Sequence, residues 1–290
     1  MLLNWDWMRP LLSVPFVPTL GPAHPSSPFP DLFEAAAGVA GSGEFLPYDK
    51  DRRWSHTKTE RILVGAVRQD ERSTLLPTLC GRGRSMVKVH VYGAEPDVLA
   101  DAAALARELA VEHAVGRARV VWFLGPEQPE SAVSVGTRVQ LKTFAGPESP
   151  SDVEVRQYSE QPNSVKATFA AFAEDMKADG LAFLHEQMVS GTVGPVLTIT
   201  CEGQVAGAIG PMETMIDEVG RSRLLPQYFA VLPEYRGHGY GRALWRAAMS
   251  WGRASGADYQ LLQTEVGGAS DRLCQGEGLT SLGFVCTRSA

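Results

Sequence analysis

The chain has 290 residues, 44% of them apolar, with 27 Lys and Arg against 33 Asp and Glu for a formal charge of −6. That length favours two domains over one, and a mildly acidic chain with no dense basic stripe excludes a nucleic-acid partner. Cys80, Cys201, Cys274 and Cys286 lie too far apart for a disulfide framework or a zinc site, so they read as free thiols and no metal is expected.

No uninterrupted apolar run approaches the roughly 20 residues that span a bilayer, so no membrane association is expected. The opening MLLNWDWMRPLLSVPFVP lacks a basic start and is cut by Pro10, Pro15 and Pro18, unlike a secretory leader. A soluble cytoplasmic protein is the expectation. Residues 18–30 carry five prolines, too many for a helix or a central strand, and predict an extended connector or surface wrap at the end of an N-terminal extension, residues 1–30.

Next, VKVHVYGAEPDVLADAAALARELAVEHAVGRARVVWFLG reads as strand, break, long helix and strand. AGPESPSD, from Ala145 to Asp152, has the composition of a linker, so the division falls at residues 147–152, between 31–146 and 153–290. VEVRQYS from Val153 alternates as a half-buried strand should. Asn163 and Ser164 are candidate caps for a helix whose apolar stripe is Val165, Phe169, Phe172 and Met176, ended by Asp179-Gly180. A second helix is predicted from Leu181 to Met188. PVLTITCEGQVAGAIG predicts a hairpin turning at Glu202-Gly203. After a polar excursion from Met212 to Arg223, QYFAVLP is a strand. A helix then carries Leu244, Ala248 and Trp251 on one face and stops at Gly256. YQLLQTEV and SLGFVCT are the last strands. The order predicts an α/β (α+β) mixed central sheet flanked by helices. The first half overlays YFAVLPEYRGHGYGRALWRAAMSWGRASGADYQLLQTEV at an offset of about 140 residues, as tandem copies of one fold would.

The sharpest signal is PEYRGHGYGRALW, where a strand gives way to a helix. Gly237, Gly239 and Gly241 permit conformations and close approaches that side chains block. Amides turned inward beside the positive end of a helix make a cradle for a pyrophosphate. Arg242 and Leu244 occupy the third glycine position of both dinucleotide-fingerprint registers, and the chain has no Gly-Lys-Ser/Thr triplet. What remains is Arg-x-x-Gly-x-Gly from Arg236.

FAVLPEYRGHGYGRALW resembles the signature strand, turn and helix of the GNAT superfamily of acyl-CoA-dependent N-acyltransferases. More loosely, the resemblance extends over residues 153–290, through CEGQVAGAIG, QTEV and SLGF. It implies an N-acetyltransferase that moves the acyl group of acetyl-CoA to a small-molecule amine by direct attack. A non-catalytic CoA-binding or regulatory module and a protein-amine acetyltransferase are the alternatives. The resemblance places the pantetheine arm along Phe229, Ala230 and Val231. It sets the pyrophosphate against the amides of Gly237, His238, Gly239, Tyr240, Gly241 and Arg242, with Arg236 heading the loop in a polar or structural role. It makes Glu265 the general base and a backbone N–H near Val231 the oxyanion donor.

Two departures are visible. The family's proton-donating tyrosine corresponds to Leu279, which cannot donate, leaving Ser270, Cys274, Tyr228, a water or no acid at all. Only VCTRSA follows SLGF where the family usually adds a strand, so the missing neighbour is expected from the first half or the proline-rich N-terminus. In the first half, YGAEPDVLADAAALA keeps one glycine and puts acids where phosphates would sit, implying a degenerate GNAT-like domain without cofactor. His185-Glu186 does not continue into a metalloprotease motif. Glu174, Asp175, Glu213, Asp217 and Glu218 read as solvated surface or as an amine attractant. Trp5, Trp7, Trp54 and Trp122 are expected to pack.

Overall fold

A computed structural model describes residues 14–39, 42, 45–55, 59–81, 85–93, 95–128, 130, 133, 135–144, 146, 153–191 and 193–290. Trp5, Trp7 and the linker at 147–152 lie outside the described residues. The chain forms two compact units, residues 1–142 with 261–290 and residues 143–260. No helix among the described residues is long and apolar enough to cross a membrane.

Among the described residues the first unit begins with a hairpin of β1 (Phe16–Val17) and β2 (Gly21–Pro22), followed by helix α1 (Phe29–Val39). Pro30 falls in the first turn of α1, where a missing N–H is harmless. Val17, Leu20, Leu32, Phe33 and Ala36 bury against Ile62 and Leu76. The proline-rich stretch, expected as an extended wrap, is therefore a hairpin and a helix start that supply core. Strands β3 (Thr59–Ile62), β4 (Arg68–Gln69), β5 (Thr74–Gly81) and β6 (Met86–Tyr92) lead to helix α2 (Pro96–Glu112), then β7 (Ala118–Leu124) and β8 (Gly136–Thr143). In β6 the period of two puts Val87, Val89 and Val91 into one core with Val98, Ala102, Leu105 and Leu109 of α2. Lys88, His90 and Tyr92 belong to the opposite face. Trp54 is buried and Trp122 packs against the α2 core, as expected of packing aromatics.

The second unit comprises β9 (Arg156–Gln157), α3 (Asn163–Lys166), α4 (Phe169–Asp175), α5 (Leu181–Val189), β10 (Leu197–Cys201), β11 (Gln204–Gly210), β12 (Thr214–Ile216), β13 (Ser222–Leu224), β14 (Tyr228–Val231) and α6 (Tyr240–Ala254). One sheet runs in the order β14-β11-β10-β9. The stripe Val165, Phe169, Phe172 and Met176 is buried with Leu181 and Leu184, as the spacing predicts. Its helix, however, is divided in two. Thr168 Oγ1 donates to the Val165 carbonyl at 2.7 Å and accepts the Val205 amide at 3.0 Å, offering the backbone a local alternative to the helical ladder. The β10–β11 hairpin turns at Glu202 (φ 51°) and Gly203 (φ 78°), the sign of φ that a tight two-residue hairpin requires.

The polar excursion is a second hairpin, β12 with β13, closed by Asp217. The Asp217 carboxylate accepts the Val219 and Arg221 amides at 3.1 and 2.8 Å, and Arg221 Nε and the Tyr259 hydroxyl at 2.9 Å each. Asp217 is therefore buried turn structure, neither solvated surface nor a free attractant for amines.

Strand β15 (Tyr259–Glu265) begins in parallel beside β13 and ends in the first unit, which α7 (Ala269–Gly276) and β16 (Thr280–Ser289) complete. Strand β16 is antiparallel to β7, from Phe284↔Leu124 to Ser289↔Arg119, and to β8, from Thr280↔Leu141 to Cys286↔Gly136. The order β15, β8, β16, β7 interleaves the last strands of the two sequence halves. The first half thus supplies both neighbours of the terminal strand. Compactness accordingly divides the chain differently from the sequence repeats, carrying residues 261–290 away from 153–260.

Candidate functional site

The corner between β14 and α6 is built by ordinary packing on one side. Helix α6 buries Ala243, Leu244, Ala248 and Met249. It approaches β11 because Gly207 has no side chain, and a Cβ there would stand 3.0 Å from Leu244 Cδ1. Burying a leucine of this kind stabilises the fold by roughly 1.5–3 kcal/mol. Strand β14 pairs with β11 from Tyr228↔Gly210 to Val231↔Gly207 and is the terminal strand of its sheet. Such an edge leaves alternate backbone groups unpaired and ready for an extended ligand that carries amides. Phe229 is half-buried, whereas Ala230 and Val231 are buried.

After β14 a single 3-10 turn, Pro233–Tyr235, leads to Arg236 in extended conformation. Arg236 Nε donates to the Val231 carbonyl at 3.0 Å, which assigns this side chain a structural role in holding the loop to the strand end. Gly237 (φ 84°) and Gly239 (φ 80°) are left-handed, a region costly to residues with a Cβ. Gly239 is the N-cap of α6, and no side chain caps the helix. The first amides of α6 have no intrahelical acceptor, and they carry the positive end of the helix dipole. Gly241 differs from the expectation: it is helical, and an added Cβ would make only ordinary contact, 3.5 Å, with Phe229. His238 is exposed, with Nδ1 3.1 Å from the Arg236 carbonyl. Tyr240 stands between Tyr235 and His238, with ring centroids 6.4 and 6.0 Å away, and a hydrogen bond with Cys201 pushes its phenol pKa up. Arg242 is exposed in the first turn of α6.

Glu265 lies in the other unit, exposed at the end of β15. The backbone after it is fixed by a residue that the sequence reading passed over. Asp271 is fully buried, its Oδ1 accepting Arg138 Nε at 2.9 Å, Thr264 Oγ1 at 3.0 Å and Gln140 Nε2 at 3.1 Å. Its Oδ2 accepts the Gly267 amide and Gln275 Nε2 at 3.0 Å each. Burial pulls the Asp271 carboxyl pKa upward, but the Arg138, Gly267 and Thr264 hydrogen bonds outweigh it, and the net shift is downward. The available signal was the pairing of Asp271 with Cys274 three residues on, which puts an acid on the buried stripe of a short helix.

Of the expected proton donors, Cys274 is buried and its thiol is pushed up to about 12, chiefly by burial, so it is too weak an acid at neutral pH. Ser270 is exposed in the first turn of α7. The Tyr228 ring packs beside Phe183, with centroids 5.8 Å apart, and against Gly180, where an added Cβ would meet it at 2.5 Å. Leu279 is buried. Among the described residues no group of three or more His, Cys, Asp and Glu is placed to hold a metal.

Residues 170–272 match the acetyltransferase (GNAT) family model. Among solved structures, the chain is similar to the glucosamine N-acetyltransferase region of a fungal multi-domain GH3 β-N-acetylglucosaminidase. That structure has a TM-score of 0.50 at 11% identity, over 89% of this chain and 37% of the other. A GCN5-related N-acetyltransferase from Sphaerobacter thermophilus has a TM-score of 0.49 at 14% identity, over 75% and 76% of the two chains. A tandem GNAT protein from the clavulanic acid biosynthesis pathway has a TM-score of 0.47 at 15% identity, over 88% and 92%. At such identities the likeness concerns the fold. No characterised protein sequence matches the chain.

Proposed function

From a chain that carries a GNAT-family domain at residues 170–272, we propose an acyl-CoA-dependent N-acyltransferase that acetylates a primary amine of a small molecule. The observation that carries this reading is the β14–α6 corner, where two left-handed glycines lead into an uncapped helix N-terminus beside an edge strand. The corner suits acetyl-CoA on three counts. The amides of Gly237 to Arg242 suit its pyrophosphate, the edge at Phe229 to Val231 suits its amide-bearing arm, and among the described residues nothing stands within 4 Å of where a Cβ at Gly237 or Gly239 would project. Bound acetyl-CoA supplies a thioester carbonyl already open to attack by an amine.

The tasks left to the chain are proton removal and charge stabilisation. An alkylamine with a pKa of about 10 is almost wholly protonated at neutral pH, so a base contributes. We assign that role to Glu265, on the strand that leaves the second unit, and the oxyanion to a backbone N–H near Val231. No side-chain acid is assigned, because a thiolate whose conjugate acid has a pKa of about 8.5 leaves unaided.

The test is calorimetry with acetyl-CoA, followed by thiol release across an amine panel. Glu265→Gln should lower kcat by about 100-fold, and the deficit should shrink as pH approaches the pKa of the amine. A deficit independent of pH would remove Glu265 as the base while leaving the corner intact. The apolar Leu279 favours a second reading, a CoA-binding module without turnover. Tight binding with no thiol release on any amine would establish that module.

A further inference from the structure

The polar face of β6 carries a feature that acyl transfer does not use. Lys88, His90, Glu60, Arg119, Thr137 and Gln263 line a cleft of about 280 Å³ within the first unit, close to the lower end of the roughly 300–1,000 Å³ of small-molecule sites. Phe16 and Thr19, of the β1–β2 hairpin, complete it. Thr19 has φ 78°, a left-handed conformation that a β-branched residue adopts only when its surroundings impose it, and such outliers concentrate at ligand sites.

The charges in this cleft do not cancel. Lys88 Nζ donates to both oxygens of Glu60, at 3.1 and 3.2 Å, and Thr78 Oγ1 donates to the same carboxylate at 2.8 Å, so the Lys88 charge is met by Glu60. Lys50 at the rim pairs with Asp51 at 2.9 Å. Arg119 is the direct register partner of Lys88 across the parallel β6–β7 ladder, yet it makes no ion pair among the described residues. Among the described residues that line the cleft, one positive charge is left over.

His90 supplies the complementary group. It is 2% exposed, with Phe16 stacked on it at 6.0 Å between centroids. Its Nδ1 stands 3.3 Å from the Leu76 carbonyl, which can only accept, so Nδ1 holds the proton. Burial lowers its pKa to about 4, and the ring is neutral at physiological pH. Nε2 is left as a lone-pair acceptor with no protein partner among the described residues.

We propose that this cleft binds a small organic oxyanion that also carries a hydroxyl group, with Arg119 meeting the anion and His90 Nε2 accepting from the hydroxyl. The proposal does not rest on the acyl-transfer reading, since it needs no coenzyme A and neither Arg119 nor His90 has a role in that reaction, although Gln263 of its wall stands two residues before Glu265 on β15. The probes are 2-hydroxypropanoate, propanoate and inorganic phosphate, titrated into the full chain by calorimetry with and without saturating acetyl-CoA. Saturable binding of 2-hydroxypropanoate is expected, at least fivefold tighter than propanoate, at least tenfold weaker in Arg119→Gln, and unchanged by acetyl-CoA. Arg119 is exposed, so that variant keeps the fold. The imidazole ¹⁵N resonance of His90 Nε2 should move on saturation. Saturable binding of phosphate that Arg119→Gln removes also supports an oxyanion site.

Four results overturn the proposal. They are no saturable binding of any of the three anions, affinities unmoved by Arg119→Gln, equal affinity for the two carboxylates, and an unshifted His90 resonance at saturation.

Discussion

The chain contains the strand–helix–strand unit twice, as β6–α2–β7 and as β14–α6–β15, and the two differ where a ligand would enter. In the first, the strands close on each other in a parallel ladder from Val87↔Ala118 to Val91↔Trp122. In the second, β14 ends its own sheet and the first residues of β15 pair with β13 instead. The helix entries diverge in the same sense. Helix α2 begins with Pro96, which has no N–H to offer, and with Asp97, whose carboxylate answers the positive helix end and takes Arg72 at 3.1 Å. Helix α6 begins with a left-handed glycine and an uncapped turn. Neither helix start has a side-chain cap, but one presents a proline and an acid to an incoming anion, whereas the other presents bare amides and no acid.

The largest effects test what the two units share. Leu105 in α2 and Leu244 in α6 are 2% and 0% exposed, and substituting either by alanine should cost about 2–5 kcal/mol in denaturant unfolding. A Leu244→Ala cost far below that of Leu105→Ala would mean that α6 is not anchored like α2.

Next come the turn glycines. Gly239→Val and Gly93→Val both force a β-branched residue into a left-handed conformation, at φ 80° and 93°, and both should lower stability by about 1–3 kcal/mol. Only Gly239→Val should weaken acetyl-CoA binding, by about 30-fold for the loss of charge-assisted hydrogen bonds of roughly 2 kcal/mol. Equal weakening by the two would erase the distinction between the corners.

Acid should act on both units. Burial pulls the Asp217 carboxyl upward, but the Arg221 amide, the Tyr259 hydroxyl and the Val219 amide outweigh it, so its folded pKa, like that of Asp271, lies below the ordinary value of 3.8. Such groups bind more protons unfolded than folded. Their contribution is complete above the ordinary carboxylate pKa and disappears as pH falls through the lower folded value. Urea midpoints measured from pH 6 downward should therefore fall below about pH 4, and Asp217→Asn should flatten that branch. The smallest effect expected is that of Gly241→Ala. Its helical backbone and ordinary 3.5 Å contact predict unchanged acetyl-CoA affinity and a gain of up to about 1 kcal/mol from helix propensity.

What the sequence disclosed were features that repeat along the chain or need a particular backbone. The stripe from Val165 to Met176, the turn at Glu202-Gly203 and the glycines after Arg236 are of this kind. Three things were illegible for physical reasons. The hairpin of β12 and β13 is too polar to show strand periodicity and depends on the carboxylate of Asp217. Asp271 reads as an ordinary helix-start acid until Arg138, 133 positions away, is brought beside it. The alternation in VKVHVY announces one polar face without saying that a hairpin from residues 16–22 stands over part of it. Partner choice among strands was readable only as a need: SLGF lacked a neighbour, and nothing local names β7 and β8.

The placement of β16 between β7 and β8 also sets a timetable. Residues 1–142 are synthesised long before residues 280–289, so the first unit waits, with one edge of β7 open and β8 without either neighbour, until the last strand is made. Nascent chains stalled before residue 280 should be protease-sensitive throughout that unit and should become resistant together once the last strand emerges.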